Sequence, residues 1–167
     1  MKSVRSVAVL GAGTMGAQIA AHVANAGLPV LLLDLDAAAA AAGLKRAAKL
    51  SPDPFFTRHA QSLIRLGGFD TDLAGIADAD WIVEAIIERL DAKQTLLERV
   101  ETYRRGDAIV SSNTSGIPIG SIAEGRGADF RRHWLGSHFF NPPRYLRLVE
   151  IIPTADTDPE VVTALSS

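Results

Sequence analysis

The chain has 167 residues, 47% of them hydrophobic, and a formal net charge of −2, a length and apolar content that suit one packed domain. Its near-neutral balance with interspersed signs argues against nucleic acid or an anionic membrane as a partner, and the lack of cysteine removes disulfide scaffolds, thiolate metal sites and cysteine nucleophiles. The N-terminal stretch superficially resembles a secretion signal. However, glycines 11, 13 and 16, with Thr14 and Gln18, interrupt its apolar run. No run approaches the roughly 18 apolar residues of a membrane span, so a soluble cytoplasmic protein is expected.

Strands and helices alternate along the chain. Val7–Leu10 is a short apolar run ending at glycine, as a buried parallel strand would be. Residues 14–26 predict a helix with Ile19, His22, Val23 and Ala26 at helical spacing, ended by Gly27 and Pro29. A second strand over 30–33 ends at Asp34, completing the strand–helix–strand crossover of parallel sheets. An alanine-rich helix follows at 37–49, broken by SPDP at 51–54, and Thr57 can cap a second helix that Gly67 and Gly68 end. This helical pair, over about 37–78, reads as an insertion projecting from the sheet.

Another buried strand is expected at 81–87, then a helix at 92–104 capped by Asp91, and strands at 108–112, 135–140 and 146–152. The alternation predicts an α/β fold with a doubly wound, mostly parallel sheet. Asp158-Pro159-Glu160 begins one more helix, too short to be stable alone. A further domain is therefore expected to follow.

GAGTMG at 11–16 matches G-x-G-x-x-G, a weak signal alone. Here it follows a strand, opens a helix and precedes an acid at the end of the next strand, the context of a dinucleotide fingerprint. Gly11 permits the tight turn, Gly13 lets backbone approach a pyrophosphate, and Gly16 lets helix and strand pack closely. Thr14 and Met15 complete the motif at the helix N-terminus that faces the anion. Asp34 would accept hydrogen bonds from the adenosine ribose and repel a 2′-phosphate, and Leu35 supplies no compensating cation, so NAD is favoured over NADP. The plainer alternative is a glycine turn with a helix-capping aspartate.

Beyond this motif the sequence resembles the NAD-binding domain of the 3-hydroxyacyl-CoA dehydrogenases. GAGTMGAQIA, DWIVEAIIERLDAKQTLLERVE, SSNTSGIPI and HFFNPP followed by LVEIIP stand in the family's order, at near-family spacing, and cover most of the chain outside 37–78. SNTS with HFFNP is far more diagnostic than the glycines. The resemblance implies a Rossmann-like NAD-binding domain over 1–167 and NAD-dependent oxidation of an L-3-hydroxyacyl-CoA to the 3-oxoacyl-CoA in fatty acid β-oxidation. It also implies a homo-oligomer completed by a C-terminal substrate and dimerisation domain. The middle segments look closest to long bacterial β-oxidation proteins, which add an enoyl-CoA hydratase domain.

By the same resemblance His138 is the general acid/base. Oxidising a secondary alcohol requires removing the hydroxyl proton as hydride leaves the carbon, a task for an imidazole of near-neutral pKa. Glu150 would orient it and stabilise the imidazolium. Independently, residues 146, 148, 150 and 152 share one strand face as Leu, Leu, Glu and Ile, where a carboxylate needs a partner unless it is a solvated edge acid. Ser115 corresponds to the family's serine at the substrate hydroxyl and nicotinamide, with Asn113 and Thr114 shaping its turn. Asn141 lies by the nicotinamide or simply forms the turn before Pro142. Glu88 and Lys93 match positions near the nicotinamide ribose, or are surface charges flanking a helix start.

No metal is expected. His22 falls on a sheet-packed helix face, His59 in the insertion and His133 beside two arginines, exposed, and none has ligand spacing. The family's insertion carries basic residues that grip coenzyme A; Lys45, Arg46 and Lys49 offer charge there without a residue-by-residue match. Two other readings stand beside the first: an NAD-binding module inactive alone, and a related dehydrogenase of a free hydroxy acid or sugar acid.

Overall fold

The computed structural model describes residues 3–166. Its strands are β1 (Val7–Leu10), β2 (Val30–Asp34), β3 (Ile64–Gly68), β4 (Trp81–Glu84), β5 (Ile109–Ser112), β6 (Trp134–Phe139) and β7 (Val149–Pro153). They form one sheet in the order β3-β2-β1-β4-β5-β6-β7. Every pairing is parallel except the antiparallel edge between β6 and β7, and the doubly wound α/β expectation holds. The chain winds outward from β1 to β3, then returns to lay β4 against the other side of β1. That reversal opens a crevice beyond the carboxyl ends of β1 and β4.

The sheet is apolar on both faces because helices cover both. Val7 and Val9 of β1 pack under α1 (Thr14–Asn25), α2 (Ala37–Ala47) and α3 (Arg58–Ser62). Ala8 and Leu10 face the opposite layer. That layer contains α4 (Phe69–Asp72), a 3-10 turn at Leu73–Asp78, α5 (Leu90–Tyr103), α6 (Ile119–Ile122) and α7 (Ala128–Arg132). The last helix, α8 (Pro159–Ser166), starts with Asp158 Oδ1 accepting the Glu160 N–H at 3.0 Å and seats Val161 against Ile109 and Leu135. Among the described residues no helix is long and apolar enough to cross a membrane.

Several elements differ from expectation. Both helices of the expected pair exist, and Thr57 caps the second by accepting the Ala60 N–H at 3.2 Å. But α3 has only five residues, and the stretch after it is β3, which takes the open edge of β2. Pairing there satisfies backbone groups of β2 that a projecting helix would leave unmet. The segment consequently lies on the sheet: α2 sits across α1 and β3. It comes so close to the first turn that a Cβ on Gly43 would lie 2.0 Å from the Ala12 carbonyl oxygen.

Asp91 is not a cap: Arg89 holds that position, and Asp91 pairs with it from the first turn of α5, where a negative charge suits the helix dipole. β4 stops at Glu84 and β7 begins only at Val149. His133 is partly buried rather than exposed, its Nδ1 donating to the Asp129 carbonyl at 2.9 Å.

Candidate active site

The crevice is a cleft of about 1170 Å³. At one end the glycine motif shapes it. Gly11 has φ +105°, and a Cβ there would lie 2.6 Å from the Ala85 carbonyl oxygen. A Cβ on Gly16 would sit 1.9 Å from the Gly11 oxygen, so only bare backbone lets α1 start this close to the strands. Gly13 is the N-cap and brings no side-chain cap. The first-turn N–H groups of α1 therefore face the cleft that Gly13, Thr14 and Met15 line, a cradle that fits a pyrophosphate.

Asp34 ends β2 at the same cleft. Its Oδ2 accepts the Ala12 N–H and its Oδ1 the Leu35 N–H, both at 2.7 Å. Each oxygen keeps a lone pair for a ribose hydroxyl. Leu35, Phe69 and Leu96 give this end an apolar lining. Arg99, a cation lining the cleft, is already engaged by the Phe69 carbonyl at 2.7 Å and by Asp70 at 3.1 Å. The donor set and shape fit NAD.

At the other end Ser115 lines the cleft, and the remaining groups expected to do chemistry reach it through that serine. His138 and Glu150 are cross-strand partners on β6 and β7, and His138 Nδ1 lies 2.8 Å from Glu150 Oε2. A carboxylate only accepts, so Nδ1 carries the proton and Nε2 presents its lone pair. Nε2 lies 3.1 Å from the Ser115 hydroxyl. The three side chains thus form one line, Ser115–His138–Glu150. Phe140 stands edge-on to the imidazole at 4.8 Å. The Glu150 side chain is 52% exposed, and Leu146 and Leu148 precede β7 in an exposed loop. The apolar face expected around Glu150 is therefore not built within the described residues, and the histidine alone fixes the carboxylate.

Ser115 rides on the loop after β5. Asn113 Oδ1 accepts the Phe139 N–H at 2.8 Å, tying the ends of β5 and β6 together. The Thr114 hydroxyl accepts the Ile117 N–H at 3.1 Å and donates to Glu88. Glu88 Oε1 also accepts the Ser115 and Gly116 N–H groups, each at 3.1 Å. Burial pushes the Glu88 carboxyl up, but Thr114, the Gly116 amide and Lys93 outweigh it and hold the group below its ordinary value. Asn141 Oδ1 accepts Gln18 Nε2 at 3.1 Å, which anchors the HFFN segment to α1.

Lys93 is no surface charge. It is 1% exposed, with Nζ 2.7 Å from Glu84 Oε1 and 3.3 Å from Glu88 Oε2. Glu84, wholly buried, is the partner that holds Lys93, and the sequence did not single it out. The signal was present: an acid inside the apolar run WIVEAII, the same pattern that singled out Glu150. Lys45, Arg46 and Lys49 lie exposed on and just after α2. None of them touches the Ser115–His138–Glu150 line.

Comparison with known proteins shows the family. Residues 6–167 match the family model described as 3-hydroxyacyl-CoA dehydrogenase, NAD binding domain. A probable 3-hydroxyacyl-CoA dehydrogenase of Deinococcus radiodurans is 51% identical over 98% of this chain, and the chain spans 49% of that protein. The structure of 3-hydroxybutyryl-CoA dehydrogenase from Escherichia coli K12 superposes with a TM-score of 0.84 at 31% identity. That alignment covers 98% of this chain and 35% of the other. A diketoreductase structure gives a TM-score of 0.84 at 29% identity, covering 99% of this chain and 60% of the other.

Proposed function

The chain belongs to the 3-hydroxyacyl-CoA dehydrogenase family as its NAD-binding domain, and we propose that its parent oxidises L-3-hydroxyacyl-CoA to 3-oxoacyl-CoA in fatty acid β-oxidation. The observation that carries the reading is the Ser115–His138–Glu150 line, with 3.1 and 2.8 Å between successive members, at the mouth of a dinucleotide cleft. Bound NAD supplies the hydride acceptor. Gly11, Gly13, Thr14, Met15 and Gly16 would hold its pyrophosphate, and Asp34 its adenosine ribose. Glu88 and Lys93 line the cleft beside Ser115 and would face the nicotinamide end, with Asn141 close by on the HFFN segment.

The Ser115 hydroxyl holds the substrate oxygen beside His138 Nε2. That nitrogen takes the alcohol proton as the C–H bond breaks, and Glu150 keeps the ring in the required tautomer and stabilises the imidazolium that forms. The relative from Deinococcus is about twice this chain's length. We assign acyl-CoA binding and homo-oligomer formation to the remainder of such a parent, and its place to the cytoplasm. The chain alone is expected to bind NAD without turnover.

In the full-length protein, His138→Ala should lower NAD reduction by 3-hydroxyacyl-CoA roughly 10²- to 10⁴-fold and leave NAD affinity unchanged. Undiminished turnover would overturn the assignment. A second reading, favoured by the likeness to a diketoreductase, keeps the hydride chemistry on a carbonyl substrate without coenzyme A. A higher kcat/KM for free hydroxy acids than for their CoA thioesters would select it.

A further inference from the structure

We propose that Glu84 is a positioning residue that fixes the Ser115 hydroxyl against His138, an inference that rests on the reading above. Glu84 sits at the end of β4, wholly buried. It lines no part of the cleft and bonds neither His138 nor Glu150. Its carboxylate nonetheless reaches the Ser115 loop by two routes.

The shorter route runs through the strand beside it. Oε2 accepts the Ser112 hydroxyl proton, and the Ser112 oxygen in turn accepts the Thr114 N–H at 3.2 Å. The other runs through the ammonium. Oε1 accepts from Lys93 Nζ and from the Ile86 N–H, both at 2.7 Å. Lys93 then bridges to Glu88 Oε2 at 3.3 Å. Glu88 collects the Thr114 hydroxyl and the Ser115 and Gly116 amides with its other oxygen. The Glu84 backbone carbonyl adds a third tie, accepting the Asn113 N–H at 2.8 Å. Asn113 is the residue whose side chain holds the backbone beside His138.

The charge on Glu84 matters because Lys93 is dry. A buried ammonium must find a carboxylate. Without Glu84, Lys93 keeps only the Oε2 of Glu88, whose side chain is 46% exposed. Any shift of that carboxylate towards the ammonium is passed on to the Thr114 hydroxyl and the Ser115 and Gly116 amides held by its other oxygen. A reacting group displaced by about 1 Å loses on the order of 10²-fold in rate. Filling this space for stability alone calls for no charge, since a packed apolar pair serves as well as a buried ion pair. A glutamate whose donors include a serine of the strand that carries the loop fits a positioning role better.

The test is a double-mutant cycle read in two ways. Nitrogen NMR of the histidine side chains in this chain reports the partner of His138 Nε2 directly. Ser115→Ala should move that resonance, Glu84→Gln should move it in the same direction, and the double variant should move it no further than Ser115→Ala alone. In the full-length protein, Glu84→Gln should lower kcat roughly 10- to 100-fold. In the Ser115→Ala background it should cost less than about twofold. Ser112→Ala leaves the Glu84–Lys93 pair intact and should give a smaller loss with the same non-additivity, which covers a Glu84→Gln protein that fails to fold. Additive losses, or a His138 resonance unmoved by both Glu84→Gln and Ser112→Ala, would overturn the proposal. Should the full-length protein not oxidise 3-hydroxyacyl-CoA, the functional reading fails, and the resonance shifts still decide the role of Glu84.

Discussion

Glu84 and Glu150 are both glutamates on strands of one sheet, and both point to the same face of it. Glu84 stands in register with Ser112 and Gly136, and Glu150 faces His138, two residues further along the same strand as Gly136. Their settings differ in water. Glu84 meets Lys93 with both side chains at most 1% exposed, whereas Glu150 is 52% exposed beside a histidine at 21%. Central strands β4 and β5 exclude solvent from the first pair, and the edge strand β7 leaves the second open. Order near the centre of the sheet is set by a charge pair that tolerates no missing partner. At the edge a proton can enter and leave, which an acid/base pair requires.

Removing each acid in turn tests the contrast most strongly. Glu84→Ala should cost about 3–5 kcal/mol, because it breaks a wholly buried pair and leaves the ammonium only the half-exposed Glu88 carboxylate. Glu150→Ala should cost no more than ~1 kcal/mol, since its pair is screened by solvent. Urea denaturation of both variants measures this, and equal losses would break the comparison.

Glu88 lies between the two extremes and sharpens the contrast through acid. Its folded carboxyl is held below the ordinary 4.5, so the unfolded chain binds the proton more readily. The resulting stability is fully present above pH 4.5 and is lost as pH falls through the depressed folded-state value. Glu88→Gln should flatten that acid limb in pH-dependent denaturation.

The smallest expected effect concerns a group without either kind of partner. His22, on the other face of the sheet, stands edge-on to Phe139 with rings 6.3 Å apart, and its buried Nδ1 has no hydrogen bond among the described residues. Burial holds its pKa below 6.5. Because the unfolded histidine takes up the proton first, stability should fall as pH drops below 6.5 towards the folded-state value. His22→Phe should remove that slope, and a slope that persists would place its source elsewhere.

Much of this was legible in the residues. β1, α1 and β2 follow from apolar runs punctuated by Gly11, Gly27 and Pro29, and their local signals agree with their final environment. β3 was not legible. Ile64–Gly68 has an exposed Arg65 at its second position and two glycines at its end, and it is a strand because β2 offers an unpaired edge, which is tertiary information. Asp34 and Glu150 could be singled out by residue type and neighbours, and Ser115 and His138 by the likeness of SNTS and HFFNP to a known family. Their mutual geometry could not, because a one-residue slip between β6 and β7 would turn Glu150 to the opposite face. Lys93 matched a family position, but its burial was not legible, since it depends on Glu84, nine positions earlier in the chain, and on Glu88.

The contact between α2 and the first turn bears on how this protein can change. Within a helix whose first six residues are all alanine, Gly43 is the one position where alanine does not fit, since its methyl carbon would fall on the Ala12 carbonyl. Helix propensity alone would reward Gly43→Ala by about 1 kcal/mol, while Ala41 and Ala42 beside it face solvent and accept most replacements. A substitution scan of the exposed Ala41, Ala42 and their neighbour Gly43 would therefore show tolerance up to one point that admits no side chain. Whatever that point admits must also suit the turn that cradles the cofactor, so the freedom of the helix to drift is bounded by a site it never touches with a side chain.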